Sequence, residues 1–284
     1  MRHWGLKLAL VGAILLGPLA AQAQDKGIET IKRSSQWVVN FDANSCDVAA
    51  EFGTPEDPMF LQLTRYAPGD VTGITVLSNR LKTSQVWFEA SFDFGLGEPA
   101  TPGGVVGITQ RKLPGILSYS TRFDNWHGKG DAPEITPAQE ATITGVVVRA
   151  PGKKPFRLEF GPLDRPMKVM RQCLDDLIQS WGYDPAVIKG LSRRPSPAGM
   201  PQRWVTDDDF PSGALGHNGF LRFRLDVDAQ GAVAGCHILD RTDPDDFSKA
   251  TCALLTKRAR FKPALDKDGK PIRAYYLGSF SWKS

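Results

Sequence analysis

Near the C-terminus the chain alternates cleanly: Leu221, Phe223, Leu225 and Val227 interleave with Arg222, Arg224, Asp226 and Asp228. A period of two predicts a strand with one buried face and one wet face. Asp228-Ala229-Gln230-Gly231 supplies a hairpin turn. A second strand over 233–240 then places Ala234, Cys236 and Ile238 on one face. Asp243-Pro244 opens a helix that turns Phe247, Thr251, Leu254 and Leu255 inward, with Cys252 at the rim of that apolar arc. Residues 272–282 read as a third, long strand.

The first half has a different texture. β-Branched and aromatic runs at 37–41, 60–64, 74–77, 86–94, 116–123, 142–148 and 156–160 are punctuated by Pro/Gly turns. They predict short strands in a sandwich-like or curved sheet. Residues 95–107 are glycine-rich but carry Pro99 and Pro102, which predicts a mobile loop rather than a phosphate cradle. One helix stands out afterwards. Asp164 is placed to cap it, and Pro166 suits its first turn. Met170, Cys173, Leu174, Leu177, Ile178 and Trp181 recur at helical spacing, and Gly182 ends it. Residues 184–206 carry four prolines and Arg193-Arg194, the composition of a semi-extended, exposed linker with at most one helical turn at 184–190. The fold class expected is therefore α+β. A β-rich domain over 24–183 is closed by a helix, and a small second domain over 207–284 follows.

The N-terminus changes where such a chain is expected to work. Arg2 and Lys7 precede an apolar run over 8–16, Gly17-Pro18 break it, and Ala21-Gln22-Ala23 offers small residues at a cleavage site. That is the order of a secretory signal, removed before Gln24. The run is shorter than the roughly 20 residues that hydrocarbon requires. Export implies an oxidising compartment, the periplasm, in which Cys46, Cys173, Cys236 and Cys252 form an even set. Three pairings are possible, and pairing within each half is the simplest. Cys46–Cys173 would staple the helix to the sheet and contribute about 5 kcal/mol in the chain-entropy model. Cys236–Cys252 would contribute about 3 kcal/mol. Without Arg2 and Lys7, 33 basic residues face 31 acidic ones, a field too weak to favour nucleic acid or anionic lipid.

Several short motifs fall in order across the last quarter. Asp209-Phe210-Pro211 precedes the first strand, and an Asp-x-x-Gly turn ends at Gly231. Arg258-Ala259-Arg260-Phe261 is followed by Pro263-Ala264, and then by Gly269-Lys270-Pro271. Together they resemble the TonB C-terminal domain, with Phe210, Pro211, Gly231, Phe261 and Pro263 as structural positions. Cys236 and Cys252 look like a feature of a non-anchored, disulfide-bearing branch of that family. The ending from Cys173 through Leu177 to Trp181-Gly182 is similar to proteins of that branch. The resemblance implies a three-stranded antiparallel sheet packed on helices. It also implies that the last strand's outer edge accepts an extended peptide from an outer-membrane receptor. On this chain that edge is Arg273, Ala274, Tyr275, Tyr276, Leu277 and Phe280, with Arg273, Tyr275 and Leu277 on one side of the strand. A bare solvent edge, or pairing with a second copy, is the plain alternative.

The resemblance stops short of an energy transducer. Such a protein keeps an inner-membrane anchor and a long Pro-rich arm, whereas a linker of this size spans at most about 70 Å. The expectation is a Gram-negative, periplasmic TonB-like binding or adaptor protein, linked to transport across the outer membrane. A membrane-anchored transducer subunit with an uncleaved signal, or an enzyme in the 24–183 domain, are the alternatives. No catalytic or cofactor motif is present, Asp93-Phe94-Gly95 stands without other kinase elements, and His127, His217 and His237 lack ligand spacing, so no metal is expected. Lys257, Arg258, Arg260 and Lys262 suit a helix C-terminus.

Overall fold

The structure, a computed structural model, describes residues 27–108, 113–129, 132–241 and 244–283. The signal reading at 1–23 lies outside the described residues, as does Asp243.

The first half forms strands β1 (Glu29–Lys32), β2 (Val38–Phe41), β3 (Cys46–Thr54), β4 (Asp57–Arg65), β5 (Thr72–Ser78), β6 (Trp87–Asp93), β7 (Gly103–Ile108), β8 (Gly115–Thr121), β9 (Gly145–Arg149) and β10 (Phe156–Glu159). They make one sheet in the order β1-β10-β9-β6-β7-β8-β5-β4-β3-β2. Two features curl it. β6 changes partner midway, pairing with β7 through Trp87–Ala90 and with β9 through Ser91–Asp93. The chain leaving β1 then runs along β3, with Arg33 bridged to Phe52 and Ser34 N–H donating to Glu51 O at 2.8 Å. The two margins of the sheet therefore meet. Closure of this kind removes sheet edges and leaves one inner face to fill. Val48, Phe52, Leu61, Leu63, Ile74, Val76, Ile116, Val148, Phe156 and Leu158 fill it.

Helix α1 (Pro137–Thr142) starts with a capping box between Thr136 and Gln139. Helix α2 (Asp164–Ser180) lays Met167, Met170, Cys173, Leu174 and Leu177 onto the sheet. Cys173 is bonded to Cys46 at the start of β3. Two local expectations change. Leu163, not Asp164, occupies the N-cap of α2, without a side-chain cap bond, and Asp164 is the first helical residue. The glycine-rich stretch expected to be a loop contains β7, whose glycines pair with β6 and β8.

Residues 184–206, expected to be an exposed linker, are instead built into the fold. Asp184 caps α3 (Pro185–Lys189), and Ile188 is buried. β11 (Ser196–Pro197) pairs with β14 (Phe261–Lys262), and Ser192 N–H donates to Leu265 O at 3.0 Å. Prolines rigidify the segment without freeing it, because its backbone groups have partners elsewhere in the chain.

The last part comprises β12 (Gly219–Val227), β13 (Val233–Arg241), α4 (Asp246–Arg258), β15 (Ala264–Leu265), β16 (Pro271–Ile272) and β17 (Ala274–Trp282). The predicted last strand is thus split: β16 pairs with β15, and after Arg273 the chain enters β17. The sheet order is β13-β12-β17, all antiparallel. β13 is shifted twice against β12. The shift between Asp226 and Val227 leaves Ala234 exposed rather than on the face of Cys236. Cys236 is nevertheless bonded to Cys252 on α4.

Candidate partner-binding site

The β13-β12-β17 sheet has two occupied faces. On one, Leu221, Phe223, Leu225 and Val227 stand opposite Phe280, Gly278, Tyr276 and Ala274. They pack with Phe247 and Leu255 of α4. Gly278 belongs there because a Cβ would lie 2.4 Å from the ring of Phe223. Phe210, Phe247 and Trp282 form an aromatic cluster at one end, and Trp282 donates its indole N–H to Thr251 at 2.9 Å. Gly231 (φ +84°) passes so close to Phe261 O that no side chain fits. Phe261 is buried, while Pro263 and Pro211 lie at the ends of short local elements.

The other face was read from its charges as the wet side of β12, and this is corrected. Phe220, Arg222, Arg224 and Asp226 project toward the curled sheet and its closing helix. Phe220 stacks on Tyr119 with ring centroids 3.8 Å apart. Arg222 lies over Tyr66 at 4.5 Å and donates to Tyr119 O at 2.8 Å. Arg224 lies over Trp181 at 4.3 Å. Asp226 accepts from the Tyr183 hydroxyl at 2.8 Å, meets His237 Nε2 at 3.0 Å, and sits 3.3 Å from Arg224 Nε. Tyr66 donates to Asp240 on β13 at 3.0 Å. Guanidinium over an aromatic ring lets a cation be covered without losing all of its electrostatic stabilisation. Ile178, Tyr183, Ile188, Ala264, Ala274 and Tyr275 form a small apolar core at the same junction.

The electrostatics follow from this burial. Desolvation works to raise Asp226, but hydrogen bonds from Tyr183 and His237 and the charge of Arg224 outweigh it and hold its pKa below the ordinary carboxylate range. Burial lowers Arg224, and Asp226 partly restores it. Burial pushes Tyr119 up to about 12, and Tyr66 rises further because Asp240 adds to the same burial.

The margin of the sheet is where a partner has room. Among the described residues no strand pairs with the far side of β17. Its register against β12 runs unbroken from Ala274↔Val227 to Trp282↔Gly219. β13, at the opposite margin, is bulged and disulfide-tied to α4, features that obstruct strand addition. Of the edge residues expected, Ala274 and Tyr275 are buried, and Tyr276, Leu277 and Phe280 are half-buried. Arg273 precedes the strand, with its guanidinium 4.5 Å over Tyr183 and 3.7 Å from Asp226. Ala274, Tyr275 and Leu277 pack in the junction core, and Tyr276 and Phe280 pack in the core closed by α4. The side chains are therefore largely engaged by the fold, and the open groups of β17 are those of its main chain.

Sequence reasoning missed Tyr66, Tyr119 and Tyr183. The signal available was the pairing of surplus aromatics in the first half with the Arg-x-Arg-x-Asp run on β12.

A curled sheet stapled to a helix, joined through an aromatic–arginine face to a three-stranded antiparallel sheet backed by a helix, defines a two-part α+β protein whose β17 margin is unpaired among the described residues. Residues 212–284 match the family model for the Gram-negative bacterial TonB protein C-terminal domain. No curated protein and no solved structure matches the chain. Among the described residues no helix is long and apolar enough to cross a membrane.

Proposed function

We propose that the protein is a TonB-like binding or adaptor protein of the Gram-negative envelope, acting in the periplasm after its leader is removed before Gln24. It engages an extended protein or peptide segment by strand addition at β17, without catalysis or cofactor. The observation that carries this reading is the regular, nine-residue β17, beyond which no strand lies among the described residues. Main-chain hydrogen bonds supply affinity in that mode, and alternate side chains supply selectivity. An outer-membrane receptor segment is the partner class that the family match favours. Force transmission is not part of the reading, because a freely diffusing protein has nothing to pull against.

The test is a photoreactive side chain placed at Ser279 or Ser281, both exposed on β17, in growing cells. An envelope-protein adduct that disappears when a proline blocks the edge supports the reading. Adducts from neither position overturn it. Mass spectrometry of the native N-terminus tests the leader separately: a chain beginning at Gln24 is expected, and an intact leader in the inner membrane returns the protein to the anchored-transducer class.

A further inference from the structure

The order of contacts between the two sheets has a direction. Tyr66, just after β4, meets Asp240 on β13 and Arg222 on β12. Tyr119 on β8 meets Phe220 on β12. Val86, Trp87 and Val106, at β6 and β7, line a common cleft with Ser281, Trp282 and Lys283 at the end of β17. Moving from β4 through β8 and β7 to β6 on the curled sheet therefore moves from β13 through β12 to β17 on the other. The cleft lies over the end of the β12–β17 pair, so Ser281 and Lys283, at the end of the strand whose outer side an added segment would pair, border it together with Val86 and Trp87. Val86 is 60% exposed and Trp87 51% exposed, an unusual pair of adjacent large apolar side chains to leave in water. The cleft between them and Phe220 holds about 390 Å³, enough for one large side chain and part of its neighbour.

We propose that Val86 and Trp87 form the second half of the β17 site. A segment paired to β17 places one large aliphatic or aromatic side chain in this cleft, on the side of the strand that Ser281 shares. The occupant is an extended peptide rather than a compact surface, because Ser281 of β17 borders the cleft and a backbone paired to β17 can lean a side chain over that small residue into it. Lys283 at the rim favours an acidic residue beside the apolar one. The proposal rests on strand addition at β17 and adds what selects the partner.

The experiment uses the oxidised exported protein and a phage-displayed library of ten-residue peptides on a valine–threonine frame, randomised at alternate positions. Selected peptides are expected to carry Leu, Phe or Trp at one fixed position. Val86→Ser with Trp87→Ser is expected to weaken the best peptide about tenfold or more and to erase that preference. Because both positions are exposed, the variant should keep the wild-type melting temperature. In the wild-type protein the Trp87 indole NMR signal should shift on peptide addition. A proline that blocks the β17 edge abolishes binding altogether. Unchanged affinity and preference in the double variant, with edge-dependent binding intact, overturns the cleft and leaves strand addition standing. Binding indifferent to the edge block, or no selected peptide, overturns both.

Discussion

A carboxylate with as little solvent around it as Asp226 stays charged because Tyr183, His237 and Arg224 converge on it. Its depressed pKa fixes the sign of a pH effect. The stabilisation is fully present above the usual carboxylate value of about 3.9 and is lost as pH falls through the folded-state value. Wild-type protein should therefore shed stability below about pH 4, and Asp226→Asn should show a flatter acid limb in urea titrations. At neutral pH the same substitution leaves Arg224 buried beside a neutral amide and should cost about 3 kcal/mol. Tyr183→Phe, which deletes one hydrogen bond to a charge, should cost about 2 kcal/mol. An unchanged denaturation midpoint in both variants would show that this cluster contributes nothing. The charge pattern of β12 could not reveal the cluster. Arg222 and Arg224 alternate with leucines in the same way whether they face water or the rings of Tyr66 and Trp181.

The elements most legible in sequence were those whose periodicity is set by a single buried face. α2 has such a face, whereas β12 was legible as a strand from its alternation although it is buried on both sides, and the hairpin turn was legible from Gly231. β3 was missed although it is mostly buried, because Asp47, Glu51, two alanines and Gly53 dilute any β propensity. Its place is fixed by pairing with β4 and by the Cys46–Cys173 bond. Both cysteine pairings follow the sequence expectation of one bridge within each half. Cys46→Ser with Cys173→Ser should cost about 5 kcal/mol, and Cys236→Ser with Cys252→Ser about 3 kcal/mol. Thermal melts of the two double variants, together with the reduced protein, would check this order. The residues proposed for the edge lie on or beside β17, but most of their side chains are packed within the fold. Backbone N–H groups alternate between the β12 side and the open side. One of Ser279→Pro and Phe280→Pro should therefore block the edge while sparing the ladder; Phe280→Pro also loses the ring packed beside Trp282, so its melting temperature is compared with that of Phe280→Ala.

For the whole molecule, the consequence is that the curled sheet covers the face of the β13-β12-β17 sheet opposite α4 and leaves its β17 margin open among the described residues. Stretch 184–206 could not be read as part of this contact, since proline content reports stiffness and not whether a stiff segment is docked. Residues 184–284 alone would expose Phe220 and Tyr275 and lose the ring contacts to Arg222 and Arg224, a loss of about 3 kcal/mol. Calorimetry should find that fragment melting below the intact protein. Equal melting temperatures would mean that the two parts touch without stabilising each other. The most direct test of the open margin is residue-resolved amide hydrogen exchange along 274–282 in the partner-free protein. Alternating slow and fast amides, slow toward β12 and fast toward the empty side, are the expected result, with only the fast set slowed when a strand is added. Uniform protection along the whole of β17 before any partner is present would contradict the account.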